Sequence, residues 1–302
     1  MPRLVLAGGS GFLGAALARE FLAQSWDVVN LTRSPRRASA GLRDIRWDGR
    51  TAGDWVGELD GAAAVVNLTG RSVDCRYHAR NRAEILDSRL HSVAAIGAAL
   101  RRCAAPPPLW IQAASLAIYG DAGDRVCEED APHGAGFSVT VCERWEQSVE
   151  QESAPRTRKT VLRIGFVLGR EGGALEKLAR LARLGLGGTV GSGRQWISWL
   201  HIEDFNRLAW WLLNTPAAAG VYNVAGPCPV QNREFMRELR RALGVWFGPP
   251  APALAVHLGS VVLRTEASLA LTGRRCLPAR LTREGFEFRH TDLRRTLEEL
   301  LR

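Results

Sequence analysis

Short apolar runs alternate along the chain with stretches in which apolar residues recur every three or four positions. Leu4–Ala7 reads as a strand and Ala15–Ala23 as a helix with one apolar face. Val28–Leu31 is a second strand. Ala63–Leu68 is apolar without alternation, which suits a parallel strand buried on both faces. Ala79–Arg102 predicts a long amphipathic helix, closed by Pro106, Pro107 and Pro108. Leu109–Ala114 and Thr160–Ile164 predict two further strands, with a helix around Phe137–Glu150 between them. This order predicts an α/β, Rossmann-type doubly wound parallel sheet.

Beyond Gly165 the texture changes. Glycines crowd residues 169–193, Pro249, Pro250 and Pro252 mark a break, and the last fifty residues look mostly helical, with a short strand near Phe286–Phe288. The expected organisation is a dinucleotide-binding domain over residues 1–168, to which 200–228 return. A smaller, mainly helical C-terminal lobe is expected from 169–199 and 229–302. Such a lobe belongs over the carboxyl edge of the sheet, where open α/β folds bind ligands.

Composition narrows the function classes. The 302 residues are 46% hydrophobic and 24% charged, as in an ordinary globular protein. The net charge of +9 comes almost wholly from arginine, since Lys159 and Lys177 are the only lysines. The arginines are spread out and no nucleic-acid-binding module is visible, so no nucleic-acid partner is expected. No membrane span is expected, because no run of about 20 residues is apolar and uncharged. The six cysteines form no C-x-x-C pair, so no metal site is expected, and they read as reduced thiols of a cytoplasmic protein. A small-molecule substrate is the expected partner, and a homodimer is allowed by these features but not required.

The first strand runs into Gly8-Gly9-Ser10-Gly11-Phe12-Leu13-Gly14, which satisfies G-x-G-x-x-G from Gly9. Between a strand and a helix this pattern signals dinucleotide binding. Glycines permit the tight turn and the close backbone approach, and the helix N-terminus offers N–H groups to a pyrophosphate. An acidic residue after the second strand would favour a free ribose 2′-hydroxyl. Here the segment is Thr32-Arg33-Ser34-Pro35-Arg36-Arg37. A guanidinium pairs well with a 2′-phosphate, so NADP(H) is the expected cofactor, with Arg33 as first candidate and Arg36 or Arg37 in support. Asn67-Leu68-Thr69-Gly70, after the buried strand, are candidates to line the same cofactor; a plain turn is the competing reading.

Together these segments resemble the extended short-chain dehydrogenase/reductase superfamily, and within it the epimerase-family group that carries a DUF1731 domain. Further segments that carry the resemblance are Ser88-Arg89, Ser115-Leu116-Ala117-Ile118-Tyr119-Gly120, Gly191-Ser192-Gly193, Trp199-Leu200-His201-Ile202-Glu203-Asp204 and Gly285-Phe286-Glu287-Phe288. The resemblance spans the chain and implies a Rossmann fold that binds NADP(H).

It also implies a Tyr-x-x-x-Lys pair, and here the chain departs from the pattern. Four residues after Tyr77, Tyr119 and Tyr222 stand Asn81, Gly123 and Gly226. Aligned on Glu146, Ser138 takes the tyrosine's place and Cys142 the lysine's. Ser115 matches the superfamily's active-site serine, with a plain strand-end hydrogen bond as the competing reading, and Tyr119 is a candidate substrate contact and proton donor. His201 titrates in a useful range, against a structural reading in which it fixes a turn to the sheet. Trp196 and Trp199 are candidates to wall a substrate pocket. The leading expectation is an atypical NADP(H)-dependent oxidoreductase acting on a small carbonyl. The alternative is an NADP(H)-binding sensor or regulatory protein. A sugar-nucleotide epimerase ranks last, because the proton-moving pair is missing.

Overall fold

The computed structural model describes residues 1–35, 41–262 and 264–302. The chain opens with β1 (Arg3–Ala7), α1 (Phe12–Ala23), β2 (Asp27–Thr32), β3 (Leu42–Arg46), β4 (Ala64–Asn67), α2 (Ala79–Arg102) and β5 (Leu109–Ser115). It continues with β6 (Val126–Cys127), α3 (Phe137–Gln151), β7 (Arg158–Ile164), β8 (Phe166–Leu168) and α4 (Gly173–Arg183). Then come β9 (Trp196–Ile197), β10 (Trp199–His201), α5 (Ile202–Asn214), β11 (Gly220–Val224), β12 (Val230–Gln231) and α6 (Asn232–Ala242). The C-terminal part holds α7 (Ala253–Val262), α8 (Ser268–Leu271), β13 (Arg275–Cys276), α9 (Ala279–Arg283) and α10 (Leu293–Leu301).

Among the described residues the main sheet has seven strands in the order β11-β7-β5-β4-β1-β2-β3. Every neighbouring pair is parallel. The chain moves outward from β1 to β2 and β3, then returns to place β4 on the other side. The direction of winding therefore reverses between β1 and β4, which opens a crevice at their carboxyl ends, where such folds take ligands. The apolar faces of β1, β4, β5 and β7 explain the burial on both sides. Leu4, Leu6, Val66 and Ile111 join one core with Phe21 and Leu208, while Val5, Ala7, Val65 and Trp110 join another with Ile96 and Trp145.

Two differences from the sequence reading have clear causes. The pattern gave no strand at Leu42–Arg46, because this edge strand is half-buried and mixes arginine, aspartate and apolar residues. Phe286–Phe288 form no strand. The two phenylalanine rings meet edge-to-face at 4.9 Å, and Phe286 also packs on Trp211, so side-chain packing rather than a ladder orders this segment. No helix among the described residues is long and apolar enough to cross a membrane.

Candidate functional site

The glycine loop lies at the β1 side of the crevice, and Gly8, Gly9 and Gly14 are there for a steric reason. Gly8 has φ of 85°, and a Cβ on it would lie 3.1 Å from the carbonyl carbon of Leu68. On Gly9 a Cβ would lie 2.5 Å from Asn30 Oδ1, and on Gly14 2.4 Å from the Cα of Gly9. The loop thus nests against the end of β4 below and α1 behind. Gly11 forms the N-cap of α1, with no side-chain cap and no acidic residue in the first turn. The free N–H groups and the positive helix end face an exposed stretch, since Ser10 and Gly11 are exposed. Phe12 and Leu13 are half-buried; the Phe12 ring packs against Gly169, Gly172 and Gly173, tying the loop to the glycine-dense segment.

At the end of β2, Arg33 is exposed and has no hydrogen bond or ion pair among the described residues. Arg36 and Arg37 lie outside the described residues. The register adds a group that the sequence reading missed: Arg46 ends β3 opposite Thr32, and it too is exposed. Only the pairing of β3 with β2 brings it beside Arg33.

Beyond β4 the four candidates separate. Asn67 is fully buried and holds the turn from beneath. Its Nδ2 donates to Gln112 Oε1 at 2.9 Å and Ser92 Oγ at 3.2 Å, and its Oδ1 accepts from the Thr69 N–H at 3.0 Å. Leu68 is half-buried and Gly70 exposed. Thr69 Oγ1 is buried without a partner among the described residues. A glycine cradle, an uncapped helix end, an orphaned hydroxyl and free guanidinium groups together fit a phosphorylated dinucleotide.

Ser115 ends β5, half-buried, and its Oγ accepts from the Ala117 N–H at 3.2 Å. That leaves its O–H free to donate. Tyr119, four residues on, is not where a substrate could touch it. Its side chain is fully buried, and its hydroxyl lies 2.8 Å from both the Glu128 carbonyl and Asn223 Oδ1. It also accepts from Arg163 Nη1 at 2.7 Å. Burial pushes the phenol up to about 12, against the pull of Arg163. Every position around its oxygen is filled by protein, which speaks against Tyr119 as the expected substrate contact and proton donor. Arg163 is itself committed to Glu146 through two bonds of 2.9 and 2.8 Å.

On α3, Cys142 is buried, and that burial, with Glu146 beside it, pushes its thiol up to about 12. A thiol so placed is no nucleophile at neutral pH. Trp199 is fully buried, and its Nε1 donates to the Cys228 carbonyl at 2.7 Å, so it is core and not a pocket wall. Trp196 is half-buried and is held by Asp124 at 2.7 Å.

His201 is buried at the N-cap of α5, and its Nδ1 accepts from the Glu203 N–H at 3.0 Å. Its ring stacks on His290 at 3.8 Å, with Glu299 alongside. These three side chains bring potential metal-ligand atoms within 4.8 Å of one another. However, an Nδ1 that accepts a hydrogen bond puts the ring's proton on Nε2, which then has no lone pair for a metal. Burial, and then the neighbouring His290, lowers the His201 pKa, so the ring is held neutral.

Comparison with known proteins agrees with this geometry. The model of the NAD dependent epimerase/dehydratase family matches residues 4–225, and that of DUF1731 matches residues 251–300. The epimerase family protein SDR39U1 of Bos taurus is 32% identical over 304 residues, covering 99% of both chains. The Arabidopsis thaliana homologue, whose name marks it as chloroplastic, is 29% identical over 303 residues, covering 98% of this chain and 86% of its own. Relatives therefore do not point to the cytoplasm alone. The human SDR39U1 crystal structure with NADPH superposes with a TM-score of 0.88 at 30% identity, covering 99% of this chain and 98% of that one. This chain belongs to the NAD dependent epimerase/dehydratase family, as a Rossmann-type α/β protein.

Proposed function

We propose that the chain is an NADP(H)-dependent oxidoreductase of atypical short-chain dehydrogenase/reductase type that reduces a small carbonyl compound. The observation that carries the cofactor choice is at the ends of β2 and β3. The exposed arginines Arg33 and Arg46 stand there, Arg33 directly after β2, where an acidic residue would select NAD(H). The human relative crystallised with NADPH supports the same choice.

When bound, NADPH would supply a hydride. The protein would do the rest with its own groups. The first turn of α1 and the backbone of Gly8–Gly14 would hold the pyrophosphate, Arg33 and Arg46 the 2′-phosphate, and Thr69 Oγ1 a ribose hydroxyl. The Ser115 hydroxyl would hydrogen-bond the substrate oxygen. His201 is assigned to capping α5 rather than to chemistry.

The missing Tyr-x-x-x-Lys pair favours the second reading, an NADP(H)-binding sensor with altered catalysis. Calorimetry with NADPH and NADH, followed by NADPH consumption over a carbonyl panel, separates the two. Loss of the charge-assisted bonds of Arg33 on Arg33→Ala should weaken NADPH binding by roughly 10- to 100-fold and leave NADH binding little changed. Equal affinity for both dinucleotides in the wild type would overturn the NADP(H) assignment. Tight NADPH binding without turnover would favour the sensor.

A further inference from the structure

Helix α3 carries Ser138 and Cys142 at the places of the superfamily's tyrosine and lysine, and the structure puts other groups beside each. Tyr77, in the segment before α2, packs its ring edge-on against Phe137 at 5.1 Å, and the Arg82 guanidinium lies over the Phe137 ring at 5.0 Å. Its hydroxyl is buried beside the Ser138 side chain, without a hydrogen bond of normal geometry among the described residues. A buried hydroxyl left unpaired costs about 1–3 kcal/mol, so its placement calls for a partner.

Arg89, on α2, lies against α3 one turn beyond Cys142. Its guanidinium sits over the Trp145 ring at 4.8 Å. Nη1 is anchored on the carbonyls of Ile85 at 2.7 Å and Arg71 at 3.1 Å. The guanidinium also underlies Gly70, where a Cβ would lie 3.2 Å from Cζ. It therefore reaches the carboxyl end of β4, the candidate cofactor side. Arg89 has no carboxylate partner among the described residues; burial lowers the pKa of its guanidinium, partly offset by the neighbouring Cys142 and Tyr77.

We propose that Tyr77 and Arg89 replace, from outside α3, the missing tyrosine and lysine. Tyr77 is the catalytic proton donor, and Arg89 is the positioning cation that stands in for the lysine's charge. Each lost group is matched in kind at its own place: a phenol beside Ser138 and a permanent cation beside Cys142. Burial raises the Tyr77 pKa, as do the neighbouring Cys75 and Glu266, while Ser138 and then Arg89 pull it down, and the net result is a protonated phenol, ready to give a proton rather than take one. The segment that carries Tyr77 is held at exposed points by Asp74 to Lys177 and Thr265, by a part-buried bond from the Tyr77 N–H to Glu266, and by Arg82 and Asn81 on the carbonyls of Tyr77 and Arg76. Admitting a substrate oxygen to Tyr77 requires this segment to lift, and of its contacts the exposed ones resist least.

The inference rests on the reductase reading. The substrate carbonyl carbon gains the hydride that the dinucleotide gives up in its oxidation, and the oxygen gains the Tyr77 proton. The C=O π pair becomes the O–H bond, and water reprotonates the phenolate.

Two readouts test it. The first needs no cofactor: NMR of ring-labelled tyrosine, with Tyr77 assigned by Tyr77→Phe among the three tyrosines. Arg89→Met should raise the pH at which Tyr77 ionises, and Arg89→Lys, which keeps the charge and guards against misfolding, should restore it. The second is NADPH consumption with an aliphatic aldehyde, an α-diketone and a quinone. Tyr77→Phe should lower kcat about 100-fold or more while NADPH affinity stays within about twofold. An ionisation of Tyr77 indifferent to Arg89, or turnover that survives Tyr77→Phe, overturns the proposal and leaves the reductase reading standing. A wild type that binds NADPH but reduces nothing in the panel overturns the reductase reading and the proton-donor role with it.

Discussion

At the scale of single residues, local sequence and tertiary surroundings give different answers for similar side chains. Tyr119 and Tyr77 are both candidate phenols, and packing alone separates them. Tyr119 is locked by Asn223, Arg163 and the Glu128 carbonyl, whereas Tyr77 has a buried hydroxyl with no such cage. Tyr119→Phe should therefore act on stability. Leaving Arg163 and Asn223 short of a partner should cost about 1–3 kcal/mol in urea unfolding. NADPH affinity, read by calorimetry, should not change. A large loss of affinity or turnover in a normally stable Tyr119→Phe protein would return Tyr119 to the site. Asn67 teaches the same lesson. A polar residue at a strand end reads as a cofactor contact, yet its amide is spent on Gln112, Ser92 and the Thr69 N–H, whereas Thr69 Oγ1 has no partner among the described residues.

At the scale of elements, helix α5 depends on a titratable cap. His201 is buried and faces His290 and Glu299 across the stack, and Glu203 and Asp204 on its own helix; Arg289 also holds Glu203. Because its folded pKa is lowered below 6.5, the unfolded chain takes up this proton first as pH falls. The neutral ring's contribution is fully present above the unfolded value and is lost as pH falls through it toward the lowered folded value. His201→Asn keeps a capping side chain and removes the titration. Its melting temperature should fall less than that of the wild type between neutral and mildly acidic pH. Parallel curves would assign the acid sensitivity elsewhere. The β2–β3 pairing is a second consequence at this scale. It brings Arg46 into the region of Arg33, although 12 residues, 34–45, separate them in sequence and five of these lie outside the described part.

At the scale of the molecule, the crevice is shared between halves of the chain. Phe12, on the first helix, fills the space above Gly169, Gly172 and Gly173, and Glu266 and Lys177 hold the segment that bears Tyr77. A ligand on the glycine loop should therefore stabilise the whole fold. NADPH at 100 times its Kd should add about 2.7 kcal/mol, read as a rise in melting temperature. Gly14→Ala should abolish that rise, since its methyl would press 2.4 Å from the Cα of Gly9 and displace the loop. A Gly14→Ala protein stabilised as much as the wild type would mean that the dinucleotide sits elsewhere.

Features carried by contiguous residues were legible in the sequence. The glycine loop, the buried parallel strands, the basic segment after β2 and the absence of Tyr-x-x-x-Lys all follow from local rules: period, steric need and spacing. What is not contiguous was not legible. The edge strand β3 lacks a clean period, and Arg46 gains its place from a partner strand. The locked state of Tyr119 and the core position of Trp199 depend on residues distant in the chain. Ser88-Arg89 stood out as a motif, but nothing in its neighbours says that the guanidinium reaches Trp145 on α3. The sequence by itself determined the fold class, the dinucleotide loop and the loss of the usual pair, because each is written in adjacent positions. Only the tertiary structure decided which phenol is spent and which is free, and that a cation from α2 stands beside Cys142, because burial and charge proximity are properties of neighbours in space.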